Sequence, residues 1–310
     1  TGAAMPGASN TVLLQEDARR EGDRLALAGD RPTPGRHIRR TGFDFRDGEH
    51  LADAQTRITP ALIALALSGG HANLTLPRRP RIAIIDSGDE LAADPTRCAP
   101  HQIPASNGPM LRALFATLPC DIKIIGPIAD DRDEIVAAFQ QAGNADLIVT
   151  SGGASVGDHD LIRPALEQWG ADLAFWRVAM KPGKPLMVAT KEGHAGRQLV
   201  LGLPGNPVSC HVTAWFFALP IIRAMLGSAA PFPSPVEVPC SAPLPAGGKR
   251  TEFVRAIWNG TSATPLPEQD SSALRALAMS NARIERPVNA EAETAGSMVR
   301  MFLLQNGGIA

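Results

Sequence analysis

The chain has 310 residues, 44% of them hydrophobic and 20% charged; a single core stops growing at roughly 250 residues, so two or three domains are expected and a disordered or collagen-like chain is excluded. With 30 Lys and Arg against 31 Asp and Glu, there is no bulk positive field for nucleic acid, and any anion site must be local. Cys98, Cys120, Cys210 and Cys240 are widely spaced, with no CxxC pair and no histidine at zinc-site spacing, which reads as four reduced thiols and a cytoplasmic location.

The chain opens at Thr1 without a charged segment leading into an apolar one, so its N-terminus reads as cut rather than as an export signal. Short β-prone runs at Thr11 to Leu14 and Leu25 to Ala28 make residues 1–46 a partial β domain. Thr59 before Pro60 is a helix start, and the Ala/Leu/Ile run behind it stops at Gly69 and Gly70, which makes residues 47–79 a helical linker. From Arg81 the apolar runs become short, continuous and rich in Ile and Val: Ile82 to Ile85, Ile122 to Ile125 and Leu147 to Val149. Strands buried on both faces look this way. Between them Asn107 can cap a helix striped by Leu111, Leu114, Phe115 and Leu118, and Asp131 with Glu134 opens one carrying Ile135, Ala138, Phe139 and Ala142. This alternation predicts a doubly wound parallel α/β domain over residues 80–228, whose ligands sit beyond the carboxyl ends of the strands. Further strands are expected at Pro185 to Ala189 and Leu199 to Leu201, and a long proline-kinked helix over Val208 to Leu226. Its apolar part is shorter than the roughly 20 residues of a membrane span and is interrupted by Pro220 and Arg223, so it reads as buried and no membrane partner is expected. Runs at Val236 to Val238, Phe253 to Trp258 and Met298 to Leu304 make residues 229–310 a small C-terminal β domain.

Three loops of the α/β domain carry the chemistry. Residues 150–158, Thr150 through Ser151, Gly152, Gly153, Ser155 and Gly157 to Asp158, leave a buried strand towards a helix. Glycines let the backbone approach a phosphate, and the two serines supply hydroxyl donors. Asp158 and Asp160 close this loop as caps or beside a cation. Lys181 and Lys184 stand on a proline-bracketed turn as point charges for an oxyanion. Pro204 to Pro207 form a second rigid strand-to-helix turn, with Ser209 in the first helical turn. At the ends of the first two strands lie Asp86, Ser87, Gly88, Asp89 and Glu90, then Asp130 and Asp131. Capping alone explains Asp131, but Asp89, Glu90 and Asp130 would repel an anion unless a divalent cation lies between, which points to a Mg²⁺–nucleotide site.

Taken together, SGDEL (87–91), SGGASVGDHD (151–160), MKPGKPL (180–186) and GLPGNPVS (202–209) resemble the MoeA/gephyrin family, the molybdopterin molybdenumtransferases. The resemblance extends more weakly to Thr1–Gly2–Ala3, to residues 39–44 and to Phe253–Val254–Arg255. It implies a MoaB/MogA-like α/β domain flanked by a partial β domain with a linker helix and by a small, barrel-like C-terminal β domain, in an elongated homodimer. It further implies that molybdate is inserted into adenylylated molybdopterin with Mg²⁺ and release of AMP, in molybdenum cofactor biosynthesis. Glu90, Asp130 and Asp160 match the family's acidic residues for metal, nucleotide and hydrolysis, with Glu90 and Asp130 as metal ligands. Asp44 and Thr1 match acidic and hydroxyl positions of the neighbouring β domain, and Lys181 and Lys184 the lysines that hold the oxyanion. Pro204 and Pro207 shape the turn, Ser209 donates to the anion, and Arg255 and Ser271 match C-terminal positions at a site shared between subunits.

Two departures stand out. The family has roughly a hundred further residues before the position of Thr1, a whole folding unit by size, and it usually has Asp where this chain has Ala105. His159 falls on a variable position and reads as a solvated loop residue. Two alternatives follow: a catalytically weakened molybdopterin-binding or scaffold protein, favoured by these departures, and a molybdopterin adenylyltransferase, disfavoured by the MKPGKP and GLPGNP loops and the flanking segments.

Overall fold

The computed structural model describes residues 2–152, 161–176, 178–193 and 196–304, and the chain divides into two compact units, Thr1–Asn73 and Leu74–Ala310.

In the first unit, β1 (Ala18–Glu21) and β2 (Arg24–Leu27) pair as an antiparallel hairpin with Glu21 opposite Arg24. The two-residue turn needs a positive φ, which Gly22 supplies at 60°. The run Thr11 to Leu14 is not a strand and leads instead into a 3₁₀ turn at Gln15–Asp17. Helix α1 (Pro60–Ser68) forms as expected: the Thr59 side chain accepts from the Leu62 amide, Pro60 stands at its start, and Gly69 caps its end. Among the described residues of this unit only Ala66 is buried, while Ile63 and Leu67 on the same helix are 48% and 62% exposed.

The second unit begins with the α/β domain. In chain order it contains β3 (Arg81–Ser87), β4 (Leu91–Ala92), β5 (Ile103–Pro104), α2 (Asn107–Phe115), β6 (Asp121–Ile128), α3 (Arg132–Gln141), β7 (Leu147–Ser151), α4 (Ile162–Trp169), β8 (Asp172–Trp176), β9 (Met180–Lys181), β10 (Met187–Gly193), β11 (Gly196–Leu203), α5 (Pro207–Thr213) and α6 (Leu219–Met225). The main sheet runs β6-β3-β7-β11-β10-β8. Its first four strands are parallel, as the apolar runs indicate, but β10 is antiparallel to both β11 and β8. The parallel order expected from the strand–helix alternation holds for these four strands, and β10 departs from it because its connections to β9 and β11 are short, and short connections reverse direction. Asp131 caps α3 by accepting from the amides of Asp133 and Glu134. One face of the sheet packs Ala83, Ile85 and Ile148 against Ile135, Phe139, Ile162 and Leu166 of α3 and α4. The other packs Ile82, Ile84, Leu147 and Val149 against Leu111 and Phe115 of α2 and the helices after β11, so the sheet is wound on both sides.

Between α5 and α6 the helix continues as a π-helical stretch, Ala214–Ala218. Pro220 cannot donate to the carbonyl four residues earlier, and the wider turn absorbs that loss without ending the helix. Pro207–Met225 is long and apolar enough to cross a membrane, but 67% of it is buried inside the protein, as in a core helix.

The C-terminal domain holds β12 (Val236–Pro239), β13 (Thr251–Trp258), β14 (Ala263–Pro265), α7 (Leu274–Met279), β15 (Ala282–Arg286) and β16 (Met298–Leu303). Its antiparallel sheet runs β12-β16-β15-β13-β14, and a bridge between Cys240 and Ala263 joins the two edges, closing it towards a barrel. Strand β9 leaves the α/β domain to pair in parallel with β13. All four cysteines are free.

Candidate functional site

Strands β3, β7 and β11 end at one edge, with Asp86 opposite Ser151 and Leu203 also opposite Ser151. The SGDEL, glycine and GLPGNP loops leave from there, so the fold collects at one edge what the sequence scatters over some 120 positions. Between the roots of these loops lies a buried polar network. The Asn107 amide nitrogen donates to the Ser151 hydroxyl at 2.7 Å and to the Gly205 carbonyl at 2.6 Å. Asn107 is therefore not the cap of α2: Ser106 precedes the helix without a capping bond, and Asn107 lies in the first turn with its side chain turned to the loops. The cap comes from a different strand, since the Gly108 amide donates to Asp86 Oδ2 at 2.8 Å. Burial raises the Asp86 carboxyl above its ordinary value, while Gly108 and the Ser151 hydroxyl pull it back. The Cys210 thiol, from α5, reaches Ser151 Oγ at 3.9 Å, and burial pushes it up to about 12, so it stays protonated.

At the same edge Asp86 Oδ1, Ser87 Oγ, Thr150 Oγ1, Asn107 Oδ1 and Asn206 Oδ1 are buried with no hydrogen-bond partner among the described residues. Buried polar atoms are nearly always paired, and an edge that leaves five unpaired suits a polar ligand or bound water. Asp89, Glu90 and Asp130 form the acidic side of the site. The Asp130 amide donates to Asp89 Oδ1 at 3.0 Å, and the Asp130 carboxyl is raised first by burial and then by the charges of Asp89 and Glu90. Among the described residues no group of three potential metal ligands is pre-assembled. Two carboxylates of this kind still fit Mg²⁺, which keeps several waters and shares phosphate oxygens with its protein ligands.

The lysine turn has a different anchor. In β9, Lys181 is in register with Glu252 of β13, and its ammonium pairs with the Glu252 carboxylate at 3.2 Å. Lys184 is exposed and has no ion-pair partner among the described residues; its carbonyl accepts from the Val178 amide at 3.1 Å. Pro204 and Ser209 are buried, and Gly205 is exposed and closely packed, a Cβ there standing 3.3 Å from the Gly152 Cα. Ser151, expected to offer its hydroxyl to a ligand, is 2% exposed and engaged beneath the loop. Arg255 is 1% exposed and donates to the carbonyls of Glu268 and Asp270, gripping the turn that carries Ser271. Burial lowers its guanidinium from the ordinary value. Asp44 is exposed in the first unit. Thr1, Gly153, Ser155, Gly157, Asp158, His159 and Asp160 lie outside the described residues. Reading the sequence alone placed Asp86 at the end of its strand without its contact to Gly108, gave no site role to Cys210 or Glu252, and gave the wrong one to Asn107. A charged residue closing an otherwise apolar strand was the available signal for Asp86.

Three family models match the chain: a "Probable molybdopterin binding domain" over residues 83–224, the "MoeA N-terminal region (domain I and II)" over 1–70 and the "MoeA C-terminal region (domain IV)" over 237–304. A molybdopterin molybdenumtransferase of a Nostoc species is 36% identical over 256 residues, 82% of this chain and 58% of the relative. That of Bacillus subtilis is 32% identical over 313 residues, 98% of this chain and 72% of the relative. The crystal structure of the molybdopterin biosynthesis moeA protein from Pyrococcus horikoshii superposes with a TM-score of 0.76 at 26% identity, covering 98% of this chain and 74% of that one.

Proposed function

Because this chain belongs to the molybdopterin molybdenumtransferase family, we propose that it inserts molybdate into adenylylated molybdopterin with release of AMP, a step of molybdenum cofactor biosynthesis. The observation that carries this reading is the Asn107 clamp, which ties the root of the glycine loop to the GLPGNP turn at the edge where a parallel sheet binds its ligands.

On this reading the glycine loop and the turn receive the pterin phosphate through backbone amides, with Ser155 and Ser209 as hydroxyl donors. Pro204 and Pro207 keep the turn rigid, and Lys181 and Lys184 hold the tetrahedral oxyanion by charge. Molybdate and tungstate have the same shape and charge, so both lysines serve either. Glu90 and Asp130 would hold Mg²⁺, which when bound offsets charge on the phosphoanhydride. Asp160 and its acidic neighbours orient the water that adds to the adenylyl phosphorus, and AMP leaves. Arg255 holds the turn that carries Ser271, which offers its hydroxyl to the substrate, and the protein acts as a cytoplasmic homodimer.

The test is AMP release from adenylylated molybdopterin and Mg²⁺, with and without molybdate. Molybdate-dependent AMP supports the transferase. Binding of the pterin without AMP favours the weakened binding or scaffold protein, a reading to which Ala105 lends weight.

A further inference from the structure

Two buried arginines meet where the C-terminal sheet faces the helices that follow β11. Arg255 of β13 and Arg283 of β15 are directly opposite each other across the strands, each is 1% exposed, and neither has an ion-pair partner among the described residues. Opposed side chains share a face with their Cβ atoms about 5 Å apart, and like charges so placed repel. That face is turned to the α/β domain: Phe253, two residues before Arg255, packs on Phe216, and Phe302, opposite Arg283 on β16, packs edge-on against Trp215. The nearby carboxylates are engaged elsewhere. Glu285 pairs with Arg300, and the carboxylates of Glu268 and Asp270 accept from amides and a hydroxyl of their own turn. Arg255 donates through Nη2 to the carbonyls of Glu268 and Asp270, and Arg283 through Nη1 to Ser280 Oγ at 2.7 Å and to the Ala282 carbonyl. Still buried without a partner are Arg255 Nε, Arg283 Nε and Nη2, and, from the facing helix, Trp215 Nε1 and His211 Nδ1. His211 and Trp215 are four residues apart and share a helix face. Arg286, on the same strand as Arg283 and 2% exposed, is the contrast: it is paired to the Glu293 carboxylate and to two carbonyls.

Burying an unpaired charge costs far more than burying a paired one, and here two lie side by side among spare groups that can all donate. We propose that Arg283 is an anion-binding residue: with Arg255 it forms a seat for a small tetrahedral oxyanion, whose oxygens accept from the spare N–H groups of both guanidiniums. The family resemblance gave Arg255 a part at the substrate and Arg283 none. A cavity of about 260 Å³ lined by Met180, Phe216, Thr251 and Phe253 lies on the same face of β13 as Arg255 and reaches the neighbour of Lys181, so the seat adjoins the lysine turn. Burial and the charge of Arg255 lower the Arg283 guanidinium to about 9. Burial and then the charge of Arg283 hold the His211 ring down at about 3, so the imidazole stays neutral and can offer an N–H. A dianion between the guanidiniums turns their repulsion into attraction.

That the occupant is molybdate rests on the transferase reading, so the test compares molybdate, sulfate and phosphate and reads binding separately from AMP release. In thermal unfolding of the full chain at low ionic strength, the anion is expected to raise Tm by roughly 5–10 °C at a hundredfold excess over Kd. Arg283→Met should weaken the anion's affinity in isothermal titration by about tenfold to hundredfold, the loss of one or two charge-assisted hydrogen bonds. Its Tm without the anion should be no lower than that of the unsubstituted chain, because an unpaired like charge has gone. A response to molybdate alone identifies the substrate oxyanion and an equal response to phosphate identifies a phosphate group; either supports the seat. Undiminished affinity in Arg283→Met, or no stabilisation by any of the three anions, would overturn it. Should that variant not fold, the Arg283 Nε–H resonance of the unsubstituted chain decides: a shift on titration with the anion supports the seat, and a resonance that does not move overturns it. If molybdate yields no AMP, the transferase reading fails while the affinity ratio still decides the inference.

Discussion

Gly152 offers the sharpest perturbation of the ligand edge. Its φ is +101°, and a Cβ added there would stand 2.6 Å from the Ser87 carbonyl oxygen. Gly152→Ala therefore meets two costs: about 1–2 kcal/mol for placing an L side chain in that backbone region, and about 1–3 kcal/mol for overpacking against backbone that cannot rotate away. A total of about 3 kcal/mol corresponds to a fall in Tm of roughly 6–12 °C for a unit of this size. Gly260 is the control, since its φ is +99° with nothing within 4 Å of the added Cβ. Gly260→Ala keeps the strain and omits the clash, so it should cost about 1–2 kcal/mol. Thermal unfolding of the two variants by circular dichroism isolates the contact with Ser87. A Gly152→Ala protein as stable as Gly260→Ala would refute the close approach of the glycine-loop root to β3.

Four further outcomes follow from the same geometry. Lys184→Ala should weaken molybdate binding in isothermal titration with little change in Tm, because an exposed turn lysine contributes charge and almost no core; unchanged affinity would remove it from the site. Glu252→Gln releases Lys181, and because exposed ion pairs contribute up to about 1 kcal/mol, molybdate affinity should rise by no more than about fivefold; weaker binding would mean that Glu252 is needed to hold the lysine in place. Asp130 titrates above its unfolded value, so its contribution is fully present below the ordinary carboxylate range and lost as pH rises through the folded value. Asp130→Asn should therefore raise Tm at neutral pH by about 2 °C or less, with the gain vanishing in acid, while AMP release falls. Asp146 runs the other way: the Arg78 guanidinium and the Arg81 amide hold its carboxyl low, so its stabilisation is present above the ordinary carboxylate range and lost as pH falls through the folded value. Asp146→Ala should lower Tm at pH 7 and lose that effect in strong acid, which thermal melts over pH would register.

The legible parts of the fold were those where one physical signal was written locally. Strands β3 and β7 are buried on both faces and therefore read as unbroken apolar runs. Helix α1 carries its start in Thr59–Pro60 and its stop in Gly69. Strand direction leaves no such mark: a strand was expected at Pro185 to Ala189, but nothing in it records that β10 runs antiparallel to both its neighbours. Strand β15, Ala282–Arg286, was missed because Arg283 and Arg286 are buried there at 1% and 2% exposure, and two arginines in five residues look like surface. Within the site, the loops were legible from their glycines, prolines and lysines. What held them together was not, because Asp86, Asn107, Ser151 and Cys210 meet from four separate elements and no spacing along the chain records it.

If this edge couples release of AMP to placement of molybdenum on the pterin dithiolene, the two must occur in a fixed ratio. The most direct measurement is the stoichiometry of the two, with AMP followed by chromatography and pterin-bound molybdenum by elemental analysis after gel filtration, over a range of molybdate concentrations. About one molybdenum should be retained per AMP released, with both rising together and both falling in Lys184→Ala. AMP released at full rate without molybdate, or molybdenum retained with no AMP formed, would contradict it.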